Sequence, residues 1–224
     1  MGQAGLVVLY GGTFDPVHNG HLAIARAARK KLGCAIRMMP AADPPHRPPP
    51  GASADERAAM LELAVADEPG LCVDRRELER TGASYTVDTL RQLRAVQPDV
   101  SVALLLGADS FISLPGWKDW RDLFDLAHFV VAARPGQDSV LDPLPEPLAS
   151  AVQDRWVDAV DALTATPAGK VLRLGQPLHD VSATGLRAWI ASGRPWKHLL
   201  PAPVAARIEA RGLYRDAADT ASSL

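Results

Sequence analysis

Cysteine is nearly absent: Cys34 and Cys72 are the only two in 224 residues. Two thiols cannot form a typical structural zinc site, and nothing in the chain suggests a disulfide scaffold. Each lies next to an apolar, strand-like segment, so both are expected as reduced thiols of the core. Charge of one sign is also lacking. A net charge of −2 gives no basic field of the kind that non-specific DNA or RNA binding requires, so nucleic acid is a poor partner, although a local basic pocket for phosphates is still possible. No apolar run approaches the roughly 20 residues needed to cross a bilayer, and the N-terminus lacks the basic, apolar and small-residue succession of a secretory signal. A cytoplasmic protein with no membrane partner is expected. Missing too is a compact cluster of Asp and Glu that could cage two metal ions, so no metal-ligating residues are assigned.

What is present is an ordinary globular composition, 47% hydrophobic, enough to bury a full core as one domain over residues 1–215, with a small polar tail at 216–224. Apolar runs at Leu6–Tyr10, Ile36–Met39, Leu71–Val73, Val102–Leu106, Phe129–Ala133 and Val171–Leu174 read as strands. They alternate with helical patterns at His21–Leu32, Asp55–Ala66, Val87–Val96, Pro147–Val160, Gly185–Ala191 and Val204–Arg211. This is the βα alternation of an α/β protein with a Rossmann-like, doubly wound parallel sheet of about six strands and helices on both faces. Ser53 followed by Glu56 reads as a capping box for the second helix. The proline-rich stretches 41–52 and 137–147 are expected to be extended.

The segment Gly11-Gly12-Thr13-Phe14-Asp15-Pro16-Val17-His18-Asn19-Gly20-His21 joins the first strand to the first helix. Two glycines let the backbone approach an anion, and the histidines fall where unpaired N–H groups and the positive end of the helix dipole already favour one. Imidazoles there can hydrogen-bond phosphate oxygens as charge builds on them. A lone histidine in such a turn is as readily a helix cap; the combination is far more specific. There is no G-x-x-x-x-G-K-[ST] P-loop, and the histidine pair stands where a dinucleotide fingerprint needs its third glycine.

A second helix start, Val181-Ser182-Ala183-Thr184-Gly185-Leu186-Arg187, offers a hydroxyl cap and an arginine on its first turn. Alone it would read as an ordinary N-cap. Beside the first motif it supplies what a triphosphate requires: backbone amides, hydroxyls and a guanidinium fork that donates to two oxygens at once.

These two elements resemble the signatures of nucleotidyltransferases that join a nucleoside monophosphate to a phosphate-bearing acceptor; Val181 stands where the family often has Ile. Further elements, namely Pro44-Pro45-His46-Arg47, Ser84-Tyr85-Thr86 with Asp88-Thr89, Gly107-Ala108-Asp109-Ser110, Pro115-Gly116-Trp117 and Arg134-Pro135-Gly136, are similar in order and spacing to those of the bacterial nicotinate-nucleotide adenylyltransferase family. The similarity runs from about Leu6 to Tyr214. It implies transfer of the adenylyl group of ATP to nicotinate mononucleotide, with Mg²⁺ held mainly through ATP phosphates.

Carried over residue by residue, the resemblance makes His18, His21 and Arg187 catalytic and places ATP and its phosphates on Gly11, Gly12, Thr13, Phe14, Gly107, Asp109, Ser182 and Thr184. The mononucleotide falls to His46, Arg47, Tyr85, Thr86, Trp117, Lys118 and Arg134. Trp117 offers a flat face to a pyridinium ring. Carboxylate recognition is implied at backbone amides around Thr86 and the position after Trp117. That position is Lys118, whose ammonium either meets the carboxylate or is solvated. Asp109 is placed for a ribose hydroxyl or a magnesium shell, and His46 and Arg47 for a lid over the phosphates. Rival readings are an adenylyltransferase acting on nicotinamide mononucleotide or phosphopantetheine, and a non-catalytic nucleotide sensor. The sensor would be expected to lose one of His18, His21 or Arg187, and all three are present.

Overall fold

The computed structural model describes residues 5–42, 51–80, 82–133, 141, 143–175 and 181–215. The chain order begins β1 (Val7–Gly12), α1 (Asn19–Leu32), β2 (Ile36–Pro40), α2 (Ala54–Val65), β3 (Leu71–Val73) and α3 (Thr86–Val96). It continues with β4 (Val102–Gly107), the short helices α4 (Ala108–Ile112) and α5 (Leu123–Leu126), β5 (His128–Ala133), α6 (Leu148–Val152), β6 (Trp156–Val157) and α7 (Asp161–Thr164). β7 (Val171–Gly175), α8 (Ala183–Ala191) and α9 (Ala202–Arg211) close it.

The strands form one seven-stranded sheet in the order β3-β2-β1-β4-β5-β7-β6, and every pairing is parallel. Parallel strands are covered on both faces and so read as continuous apolar runs; Val102 to Leu106 is buried throughout. The period of two divides each strand between two cores. Val8 and Tyr10 of β1 pack on the face that holds Leu22 of α1, Met60 of α2 and Ile208 of α9, whereas Leu9 between them joins Leu90 of α3 and Phe111 of α4 on the other. The strand order reverses between β1 and β4, which opens a crevice at their carboxyl ends, Gly12 and Gly107.

Three details depart from the sequence expectations. Seven strands replace about six because Trp156–Val157, expected inside a helix from 147 to 160, pairs as Trp156 with Val171 and Val157 with Leu172. An aromatic and a β-branched residue gain more by extending the sheet edge than by continuing a helix, and helix α6 stops at Val152. Only half of the Ser53–Glu56 box forms: Ser53 Oγ accepts from the Glu56 amide at 3.2 Å, while the Glu56 carboxylate turns to α9 and pairs with Arg207 Nε at 2.9 Å and Arg211 Nε at 3.6 Å. Cys34 and Cys72 carry no disulfide, yet Cys72 is exposed rather than in the core, because on edge strand β3 it alternates with buried Leu71. The stretch 216–224 lies outside the described residues, as do positions 43–50, 137–140 and 142 of the other two stretches expected to be irregular.

Candidate active site

The first motif turns tightly after β1. A Cβ on Gly12 would lie 3.0 Å from the Phe14 ring, so glycine lets the chain fold back over that side chain, which is buried with φ at 49°. His18 is the N-cap of α1 in extended conformation, and His21 is the third helical residue. The His18 amide donates to His21 Nδ1 at 3.2 Å, and the two imidazoles stack with centroids 3.7 Å apart. An Nδ1 that accepts leaves the proton of a neutral imidazole on Nε2, so His21 is set up as an Nε2–H donor. The Phe14 ring meets His21 edge-on at 5.0 Å, and Tyr10, whose hydroxyl is held well above its usual pKa by burial, lies beneath.

The second motif abuts the first. Ser182 caps α8, accepting from the Gly185 amide at 3.1 Å. Val181 sits so close to α1 that a Cβ on Gly20 would come within 3.1 Å of its Cγ1 and 3.0 Å of His18 Nδ1. Arg187 Nη1 donates to the carbonyl of Asp15 at 2.7 Å and lies 3.5 Å from the Asp15 carboxylate, while Nη2 reaches Thr184 Oγ1 at 3.4 Å. His18, His21, Ser182 and Thr184 therefore come from two adjacent helix starts, where orphan amides and dipoles favour an anion, while Arg187, expected on the first turn of α8, is its fifth residue and reaches back to Asp15 and Thr184.

Beneath them lies a network absent from the sequence expectations. The buried Asp15 carboxylate accepts from the amides of Gly51 at 2.7 Å and Ala52 at 3.1 Å, and from the Tyr214 hydroxyl at 2.7 Å. Burial, then the bond to Asp15, raise the Tyr214 pKa far above the usual phenol value. Arg57, fully buried, donates to the carbonyls of Thr13 at 2.7 Å, Ala42 at 2.9 Å and Ala52 at 3.3 Å. Burial lowers its pKa, against the opposing pull of Asp15. A signal for Arg57 was available, since it shares one helical face with Met60, Leu61 and Ala64, all buried. Tyr214 gave none.

Beside the crevice is a cavity of about 480 Å³ lined by Gly12, Thr13, Tyr85, Thr86, Trp117 and Lys118, among others. Thr86 is the first residue of α3, so its amide belongs to the helix start. Trp117 follows a one-turn 3₁₀ segment at Leu114–Gly116, and its indole N–H donates to Ser113 Oγ at 3.3 Å. The Lys118 ammonium pairs with Asp88 at 3.0 Å and sits 4.6 Å from the Tyr85 ring centroid. Glu77 enters the same cavity although nothing in the sequence singled it out. Gly107 is the N-cap of α4, with Asp109 exposed on its first turn. His46, Arg47 and Arg134 lie outside the described residues.

Residues 9–188 match the cytidylyltransferase-like family. Fold, paired phosphate motifs and match together define a nucleotidyltransferase. Over 216 residues the chain is 56% identical to a protein of Stenotrophomonas maltophilia (strain K279a) named as a probable nicotinate-nucleotide adenylyltransferase, covering 94% of this chain and 97% of the relative. A Xylella fastidiosa (strain M23) protein of the same name is 48% identical over 214 residues, covering 93% and 96%. The chain belongs to the nicotinate-nucleotide adenylyltransferase family. Its fold is similar to that of the Plasmodium falciparum nicotinic acid mononucleotide adenylyltransferase solved in complex with NaAD, with a TM-score of 0.69 at 15% identity over 94% of this chain and 97% of that one. Among the described residues no helix is long and apolar enough to cross a membrane.

Proposed function

We propose that this protein, working in the cytoplasm as a single domain over residues 1–215, transfers the adenylyl group of ATP to nicotinate mononucleotide, giving deamido-NAD and pyrophosphate in NAD biosynthesis. The observation that carries the reading is the abutment of the α1 and α8 helix starts, with His18, His21 and Arg187 upon them, next to a cavity holding both Trp117 and the start of α3.

A 5′-phosphate oxygen of the mononucleotide attacks the α-phosphorus of ATP. One P–O bond forms, the bond from the α-phosphorus to the bridging oxygen breaks, and pyrophosphate leaves with that electron pair. The attacking oxygen is already anionic at neutral pH, so the protein need supply neither nucleophile nor base; its work is alignment and charge neutralisation. His21 donates from Nε2 to the α-phosphoryl oxygens, where charge grows in the transition state. His18 and Arg187 hold the departing phosphates, and the guanidinium keeps N–H groups for them beyond those used on Asp15 and Thr184. Gly11, Gly12, Thr13, Phe14, Ser182, Thr184 and Gly107 shape the ATP side.

Among the described residues no group of three or more His, Cys, Asp or Glu could hold a metal ion. Mg²⁺ is assigned to the ATP phosphates and water, where it would supply further charge neutralisation. Asp109 is assigned to the ATP side, at a ribose hydroxyl or in the magnesium shell.

On the acceptor side Trp117 stacks on the pyridinium ring, Tyr85 lines its surroundings, and the Thr86 and Lys118 amides receive the carboxylate; His46, Arg47 and Arg134 are assigned to the mononucleotide phosphate. The test is pyrophosphate release from ATP with each of three acceptors supplied separately. Release is expected with nicotinate mononucleotide, at least about tenfold less efficient with nicotinamide mononucleotide, and absent with phosphopantetheine. Equal or better use of either other acceptor would replace this reading, and no release with any would return the protein to a nucleotide-binding role.

A further inference from the structure

Glu77 is almost completely buried, 4% exposed, yet its residue lines the cavity assigned to the acceptor. The Thr89 hydroxyl donates to Glu77 Oε1 at 2.7 Å. Arg80 Nη2 donates in turn to Thr89 Oγ1 at 2.8 Å and lies 3.9 Å from the carboxylate. A threonine hydroxyl has one hydrogen, and the 2.7 Å contact with Glu77 takes it in preference to the 3.4 Å contact with the Tyr85 carbonyl. Ser84, which lines the same cavity, accepts from the Ala42 amide on its Oγ at 3.1 Å. Glu77 thereby holds Thr89, the fourth residue of α3, from the segment that precedes the helix. Thr86, whose amide the proposed function gives to the acceptor carboxylate, lies between Ser84 and Thr89.

We infer that Glu77 is a positioning residue for acceptor recognition, fixing the start of α3 through Thr89 so that the Thr86 amide meets a carboxylate at one defined place. A buried carboxylate near a site for another carboxylate would repel it unless capped. Thr89 and Arg80 provide that capping, and the carboxylate in return holds the Thr89 hydroxyl in one orientation. The inference rests on the assignment of nicotinate mononucleotide as acceptor.

Steady-state kinetics of Glu77→Gln, with each substrate varied in turn, test it. The amide matches the carboxylate in shape but replaces one acceptor oxygen with a donor. It loses the negative charge that faces Arg80 and the two-oxygen acceptor that holds the Thr89 hydroxyl. KM for nicotinate mononucleotide is expected to rise about tenfold, with kcat and the KM for ATP within about threefold of wild type, and the preference over nicotinamide mononucleotide to shrink. Thr89→Val should act alike, Thr89→Ser should restore near wild-type values, and the double variant Glu77→Gln/Thr89→Val should cost less than the product of the single effects. Unchanged acceptor KM, parallel changes in both substrates, or multiplicative effects would overturn the positioning role. Should Glu77→Gln fail to fold, the Thr89 pair decides by the same criteria. A wild-type protein that does not use nicotinate mononucleotide would instead fail the acceptor assignment itself, before any variant is compared.

Discussion

Arg187 Nη1 donates to the backbone carbonyl of Asp15 at 2.7 Å, joining residues 172 positions apart in the chain. Asp15 lies within the first phosphate motif and Arg187 at the end of the second, so this bond fixes the spacing of the two helix starts that would grip a polyphosphate. The Asp15 carboxylate adds Tyr214, Gly51 and Ala52 to the same knot. Preorganisation of this kind places donors before charge develops, which is where electrostatic catalysis gains most.

Arg57 should be the main stability determinant beneath the site. Its three bonds go to backbone carbonyls, and Arg57→Met leaves those acceptors without their donor. Urea unfolding should show a loss of about 2–4 kcal/mol. A loss below about 1 kcal/mol would mean that the carbonyls find other partners at little cost.

Gly20→Ala sets two effects against each other. In a helix the change ordinarily stabilises by about 0.5–1 kcal/mol. Here the new Cβ would crowd His18 Nδ1 at 3.0 Å and Val181 Cγ1 at 3.1 Å, forcing the imidazole stack or the helix contact to shift. Turnover is expected to fall about tenfold or more, without gain in Tm. A more stable and fully active variant would show that the stacked geometry has no catalytic importance.

His128 should make stability depend on pH. It is fully buried in β5, takes the Lys170 amide on Nδ1 at 3.0 Å and faces the Thr166 carbonyl with Nε2 at 2.8 Å. Burial is the largest cause lowering its pKa below the ordinary histidine value. The unfolded chain thus takes up a proton that the native state resists, so the contribution is complete above about pH 6.5 and is lost as pH falls from there through the lowered native pKa. Urea unfolding from about pH 7.5 to about pH 5 should show a steeper decline for wild type than for His128→Gln. Parallel declines would assign the acid sensitivity to other groups.

His21→Ala should lower kcat by about 10²–10³ while ATP affinity weakens only a few-fold, because the donor acts on charge that appears during reaction. Single-turnover rates beside calorimetric ATP binding separate the two effects. Near-full turnover would reduce His21 to a helix-start residue.

Much of this was legible in the sequence because it is local. Strand runs, helix spacing, the helix start at Thr86 and the cap at Ser182 each follow from a few neighbouring residues. Trp156–Val157 was misread as helix because its gain comes from pairing with β7, a partner the local pattern does not reveal. The same holds at the site. The motifs announced His18, His21 and Arg187, whereas Asp15, Glu77 and Tyr214 act through partners up to 199 residues away. Only Arg57 left a local trace, as a charge on an apolar helical face.

If the cavity takes the proposed acceptor, Trp117→Ala is a selective lesion. Loss of the stacking face should raise the acceptor KM about 2- to 30-fold, the range of a cation–π contact, and leave the KM for ATP nearly unchanged. A selective loss of ATP affinity would place Trp117 on the other substrate.

The most direct test is a one-pot competition in which wild-type protein, ATP and equal concentrations of nicotinate and nicotinamide mononucleotides react briefly and the dinucleotides are quantified by mass spectrometry. Donors placed for a carboxylate are poorly paired by an amide, a difference of about 1–3 kcal/mol. Deamido-NAD should therefore exceed NAD at least about tenfold. Comparable amounts of the two, or an excess of NAD, would contradict the assignment of the α3 helix start and Trp117 to nicotinate recognition.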